Sequence, residues 1–191
     1  MSEAENSNTL GTQGGAVTGS AGTDVYVALA GENELDGASG NDLLIGGFQD
    51  DILEGGAGND ALVGDLDGAI FGGDDQLFGG AGDDMLKGGK GADIFGFNPN
   101  EGDDIIADFG LNFTDVGSDN GFKTTPTGAD FEVGVDKIQL SGFTTLSEGS
   151  ILTSGALRQT DDGTVLEAEG TSVLLFGVDL NTVSESDFSF V

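Results

Sequence analysis

From residue 19 to residue 96 the chain sets one large apolar side chain at every ninth position. They are Tyr26, Leu35, Leu44, Leu53 and Leu62, then, after six extra residues at 64–69, Leu77, Leu86 and Phe95. The units begin at Gly19, Ala28, Gly37, Gly46, Gly55, Ile70, Gly79 and Gly88, and a degenerate ninth runs over 99–107. One apolar residue in nine cannot make an amphipathic helix, which needs three or four per two turns. The spacing predicts a three-residue strand with its middle side chain inward and both neighbours outward. The glycine-rich stretch before each strand is then a turn, where positive φ and close backbone approach require glycine. Two units are expected to make one coil, so that apolar residues 18 positions apart stack. At the strand spacing of about 4.8 Å such coils would build a rod about 20 Å long.

Past Ala107 the pattern changes. Glycine thins out, and Phe109, Phe113, Phe122, Phe131, Phe143, Phe176, Phe188 and Phe190 follow. The segments 136–140, 164–168 and 172–176 alternate or read as strands. An open solenoid end exposes apolar side chains and unpaired strand edges, so it needs a cap. The expected organisation is all-β: a leader or degenerate first turn over 1–18, a parallel β solenoid over 19–107, and a mostly antiparallel β cap over 108–191 with an irregular loop near 111–130. The solenoid should depend on that cap to form.

Composition sharpens this picture. The 191 residues hold 35 acidic against 5 basic side chains, a formal charge of −30, and 36 glycines. Self-repulsion and the ordering entropy of glycine both oppose compaction until a cation intervenes. Calcium, a hard cation served by oxygen ligands, suits such a chain. The absence of Cys and His removes disulfides, thiolate sites, the usual zinc ligand and the commonest general base. Lys87, Lys90, Lys123, Lys137 and Arg158 are too few for a nucleic-acid surface. No apolar run approaches the roughly 20 residues that span a bilayer, and the first residues lack the charged and apolar regions of a secretory signal peptide.

The acidic residues are in register too. Asp24, Asn33, Asp42, Asp51, Asp60, Asp75, Asp84, Asp93 and Asp104 share one position, two before the apolar residue. Coiling would bring alternate members within a strand spacing, and like charges that close require a cation between them. Two carboxylates and about four turn carbonyls supply the six or so oxygens calcium takes. The clearest unit, Gly55-Gly56-Ala57-Gly58-Asn59-Asp60-Ala61-Leu62-Val63, resembles the calcium-binding nonapeptide of the RTX (repeats-in-toxin) hemolysin-type family. That resemblance implies a parallel β-roll and a ligand set. Ala38, Gly40 and Asp42 would face Gly55, Ala57 and Asp60. Gly80, Gly82 and Asp84 would face the degenerate turn at 99–104. Gly73 and Asp75 would face Gly88, Lys90 and Asp93. Pairing alternate turns gives about seven calcium ions. Asn33 is uncharged, Gln49 replaces a glycine, and 64–69 interrupts two pairs; Asp65 and Asp67 there are read as a solvated loop, with added calcium ligands as the alternative.

The end of the chain, with Gly177-Val178-Asp179-Leu180 and then 186–191, is similar to the C-terminal region that type I secretion machinery recognises in that family. It also reads as a plain last strand, and removing 187–191 should impair export while largely sparing folding. The resemblance therefore implies a secreted, extracellular or cell-surface protein that folds on binding calcium, with a structural or interaction role and no catalysis. The alternative is an export or targeting module of a larger enzyme or adhesin, like the RTX tails of proteases, lipases and alginate epimerases. Carboxylate pairs alone remain for catalysis, and calcium accounts for them better. A polysaccharide partner would have to be neutral or calcium-bridged, because no cationic groove is present.

Overall fold

A computed structural model describes residues 6–9 (backbone), 14–66, 71–109 and 126–191. Two sheets face each other. The first joins β1 (Asn6–Thr9), β3 (Asp24–Val27), β5 (Leu43–Gly47), β7 (Ala61–Asp65), β9 (Met85–Lys87) and β11 (Gly102–Ile106), all parallel, and then β17 (Thr171–Phe176), β16 (Gly163–Ala168) and β15 (Leu157–Gln159). The second joins β2 (Ala16–Thr18), β4 (Glu34–Asp36), β6 (Ile52–Ala57), β8 (Gln76–Ala81), β10 (Ile94–Phe97), β14 (Lys137–Leu140) and β18 (Phe188–Phe190). The short pair β12 (Asp108–Phe109) and β13 (Pro126–Gly128) completes the described strands. The chain alternates between the sheets, so it is a parallel β-roll. Within 108–191 the β12–β13, β15–β16 and β16–β17 pairs are antiparallel and β14–β18 is parallel.

The apolar residue of each unit lies where the nine-residue period puts it. Leu35, Leu53, Leu77, Phe95, Ile138 and Phe188 are successive register partners in one sheet. Tyr26, Leu44, Leu62, Leu86, Ile106 and Leu175 are successive partners in the other. All are buried in a single core that runs from the roll into the C-terminal strands. Phe131 of the C-terminal region packs on Phe95, ring centroids 6.1 Å apart. Because β14 and β18 extend one sheet and β17 the other, the roll's last coils are covered by continued pairing rather than by a separate lid. The stretch before 19 contributes β1 and β2, which pair with β3 and β4. Much of the loop expected near 111–130, with Phe113 and Phe122, lies outside the described residues.

Two expectations change. The neighbours of the inward residue are not uniformly outward: Leu43, Ile45, Ala61, Val63 and Met85 are buried in a second cluster joined by Val25 and Val27. These are flanking positions of alternate units, all on one sheet, where the other sheet carries Glu34, Asp36 and Glu54. The repeat is therefore 18 residues long as well as nine. The second change concerns the inserted residues. Asp65 pairs with Gly47, the second residue of its turn. A Cβ on Gly64 would meet Asp75 Oδ2 and the Gly88 carbonyl, just as one on Gly37 would meet Asp42 Oδ2 and the Gly55 carbonyl. Gly64 is thus the structural first residue of the turn ending at Asp75, in place of Ile70, and the extra residues are 66–71 rather than 64–69.

Candidate metal centre

In the turns that end at Asp42, Asp51, Asp60, Asp84, Asp93 and Asp104 the second and fourth residues adopt left-handed backbone. Gly56, Gly80 and Gly89 hold the second place at φ of 104°, 97° and 103°, and Gly40, Gly58, Gly82 and Gly91 the fourth at 126° to 141°. Side chains rarely tolerate these angles. Ala38 and Gln49 nevertheless take them, at 70° and 76°.

The turns stack into two columns of aspartates. In one, the amides of Asp24, Asp42, Asp60 and Asp84 donate to Oδ1 of Asp42, Asp60, Asp84 and Asp104, at 2.7, 2.7, 2.7 and 3.0 Å. In the other, the amides of Asn33, Asp51, Asp75 and Asp93 donate to Oδ1 of Asp51, Asp75, Asp93 and Asp136, at 2.8, 2.8, 2.9 and 3.0 Å. All nine predicted side chains are buried, at 4% exposure or less. Each ladder bond uses one oxygen. The second has no hydrogen-bond partner in Asp42, Asp51, Asp60, Asp75, Asp84 and Asp104, nor does Oδ1 of Asp24 or Asn33. An orphaned buried carboxylate oxygen costs several kcal/mol unless a cation takes it up.

Of the predicted carbonyls, those of Gly55 and Gly88 lie beside the orphaned oxygens of Asp42 and Asp75. The Gly55 carbonyl lies beside Asp42 Oδ2 across the glycine hydrogen of Gly37, where a Cβ would come within 2.5 Å of that oxygen and 2.7 Å of the carbonyl. Between these coils Ala57 N–H donates to the Ala38 carbonyl (3.1 Å), and Gly40 N–H to the Ala57 carbonyl (2.7 Å). The carbonyl of Gly40 abuts Gly58, that of Gly80 belongs to the next turn up, and that of Gly82 abuts Gly102. In the second column, Gly73 abuts Gly91, Lys90 abuts Gly72, and the Gly88 carbonyl accepts from Asp65 N–H at 2.9 Å. A carbonyl already accepting one bond keeps a second lone pair. Among the described residues no three acidic side chains are grouped to hold a metal. The gaps combine two carboxylates with backbone oxygens, a hard donor set that fits calcium.

Burial dominates the electrostatics. It pushes Asp75 up to about 9, Asp60 and Asp104 to about 8, Asp42, Asp84 and Asp93 to about 7, and Asp51 to about 6, with the neighbouring carboxylates adding to it. Backbone amides oppose the rise at every one of them.

Asp136 was not among the predicted sites. It lies outside the repeats, yet it takes the ladder position after Asp93, and Asp136-Lys137-Ile138 repeats the spacing of Asp93-Ile94-Phe95. That three-residue echo was the available signal. Asp130 was also missed; it accepts from the amides of Gly88 (2.7 Å) and Gly89 (3.2 Å). Asp65, expected in a solvated loop, is buried at 2% exposure, since it belongs to the turn itself. Asp67 lies outside the described residues.

A parallel β-roll with buried carboxylate columns in its turns is the class this geometry defines. Residues 18–53, 36–68 and 71–96 match the family model described as the RTX calcium-binding nonapeptide repeat (4 copies). The segment 18–96 is thus an array of RTX calcium-binding repeats, and the roll binds calcium. No curated protein matches the chain in sequence. Among solved structures it is similar to the extracellular lipase LipA from Serratia marcescens, with 17% identity and a TM-score of 0.48. That alignment covers 100% of this chain and 40% of the lipase, so the chain spans less than half the lipase's length. It is also similar to the AlgE6R3 subunit of the Azotobacter vinelandii mannuronan C5-epimerase, with 22% identity and a TM-score of 0.42 over 93% of this chain and 78% of that one. Among the described residues no helix is long and apolar enough to cross a membrane.

Proposed function

We propose that this is a secreted β-roll protein that remains unfolded where calcium is scarce, folds when calcium fills its turns outside the cell, and serves a structural or interaction role without catalysis. The observation that carries this reading is the pair of aspartate columns, buried and with one orphaned oxygen on most members. Four gaps in each column give up to eight sites, one more than the repeats alone suggest, because Asp136 extends the second ladder. Binding to the folded state converts binding free energy into folding free energy. Export through type I machinery, directed by 186–191, fits a chain that is threadable before it meets calcium. That tail has a second role: β18 is an edge strand, Phe188 is buried, and Asp187 accepts from Gly134 N–H at 2.9 Å. Deleting 187–191 therefore costs folding as well, and export is better tested with exposed tail substitutions. Far-UV circular dichroism should pass from disordered to β as calcium rises through about 0.1–1 mM, the range of extracellular modules. A fully folded chain in excess chelator would refute the proposal.

A further inference from the structure

The first gap of the second column is built differently from its neighbours. In the gaps that follow Asp24, Asp42, Asp60 and Asp75, a Cβ on the first glycine of the turn would meet two oxygens at 2.1 to 2.7 Å. One is the Oδ2 of that aspartate, and the other is the first carbonyl of the next coil, of Gly37, Gly55, Gly79 or Gly88. Oxygens gathered in this way repel unless a cation lies between them. One coil before Asp51, the place of the aspartate is held by Asn33, buried at 4% exposure. Its Nδ2 donates to the Gly31 carbonyl of its own turn at 2.6 Å. It also donates to the Gly46 carbonyl, the first of the next coil, at 3.2 Å, and to Oδ1 of Asp51 at 2.8 Å. The backbone N–H of Asn33 donates to the same Asp51 oxygen at 2.8 Å. Three acceptors around that end of the side chain assign it the nitrogen rather than the oxygen. The Asn33 Oδ1 has no partner, as Oδ1 of Asp24 has none: both residues head their columns, and later members use Oδ1 to accept from the coil before them. The first residue of this turn is Ala28, which is fully buried and carries the Cβ for which those four turns leave no room. The other repeat turns begin with glycine, except the last, where Pro99 precedes Asp104 and the ladder of that column ends.

We propose that the gap between Asn33 and Asp51 takes no calcium: the side-chain amide of Asn33 closes it by donating to three oxygens of the kind that hold an ion elsewhere in the array. This rests on the calcium-binding reading above, removes Asn33 from the ligands and leaves seven of the eight gaps for ions. The donor set points the same way. Calcium affinity falls with the charge of the ligand set, and this gap brings one aspartate where each of the others brings two. The second column therefore starts from a coil that is closed without an ion wherever the roll is folded, and its ion-filled gaps begin at Asp51.

The test counts bound ions by calorimetric calcium titration of the full chain, in wild type, in Asn33→Asp and in Asp42→Asn, the reverse exchange in the other column. In calcium-loaded wild type, NMR also reads how fast the side-chain amide protons of Asn33 exchange with solvent, with exposed Asn181 as the reference. Asn33→Asp replaces the donor with an acceptor and a charge, so it should bind one ion more than wild type. Asp42→Asn should bind fewer. The Asn33 amide protons should exchange at least about tenfold more slowly than those of Asn181. Equal counts for wild type and Asn33→Asp overturn the proposal, and so does an Asn33 amide that exchanges as fast as that of Asn181, the mark of an oxygen turned to an ion. An Asp42→Asn count equal to wild type overturns it too, since an amide in place of a carboxylate would then not empty a gap. If Asn33→Asp does not fold in calcium, the exchange measurement on wild type decides alone. A wild-type chain that binds no calcium would sink the functional reading and this proposal together, whereas intact calcium binding with equal counts sinks only the latter.

Discussion

At the scale of single residues, the turns separate two uses of glycine. At the second and fourth places it supplies left-handed backbone, and Gln49 and Ala38 hold such conformations against the preference of L residues, which costs about 1–2 kcal/mol each. Gln49→Gly should therefore stabilise the calcium-loaded roll by about 1 kcal/mol, read as a higher urea midpoint at fixed calcium. At the first place the need is for space. Gly37 has no positive φ, yet a Cβ there would press on Asp42 Oδ2 and the Gly55 carbonyl. Gly37→Ala should abolish the site between Asp42 and Asp60, lowering the ion count by one with the remaining sites filled. An unchanged count would show that the gap lies elsewhere.

At the scale of elements, the nine-residue apolar period was legible because Leu53 and its equivalents have no alternative way to be buried. The aspartates were legible because a fixed offset of two residues ties each to its apolar partner. Asp65 and the true place of the extra residues were not legible. A break in a repeat can be moved by two positions without changing the spacing of Leu62, Asp75 and Leu77, and the pairing of Gly47 with Asp65 and the seat of Gly64 against Asp75 decide between the alternatives. The distinction is measurable. Deleting 66–71 joins Asp65 to Gly72 and should leave the fold and its calcium midpoint nearly intact. Deleting 64–69 instead puts Ile70 where Gly64 stands, against Asp75 Oδ2 and the Gly88 carbonyl, and should raise the midpoint severalfold. Equal midpoints would return the insertion to 64–69. Asp136 was hidden for a different reason: it reaches the column from 43 residues beyond Asp93, across a region with no repeat to count along.

At the scale of the whole molecule, two columns of like charge run through a chain of net charge −30. Burial raises the folded-state carboxyls to between about 6 and about 9, against an ordinary value of 3.8. A raised folded value means that the calcium-free roll binds more protons than the unfolded chain, so its stability falls as pH rises. In chelator, that stability is fullest below about pH 4 and is lost as pH passes through about 6 to 9. At pH 5 the chelated chain should carry more β structure than at pH 8, protons standing in for calcium. Indistinguishable spectra at the two values would mean that the columns do not form without the ion.

The direction of the aspartate ladder also has a mechanical meaning. Every ladder bond runs from the amide of one coil to the carboxylate of the coil that follows it in sequence, and the C-terminal strands anchor the far end. Pulled by its two ends in calcium, such a rod should come apart like a peeled tape, starting from the N-terminal coils. Each 18-residue coil would release about 60 Å of contour, and the coil carrying the extra six residues about 80 Å. A force trace would then be a sawtooth of equal teeth with one longer tooth, so the insertion would serve as a ruler mark along the rod.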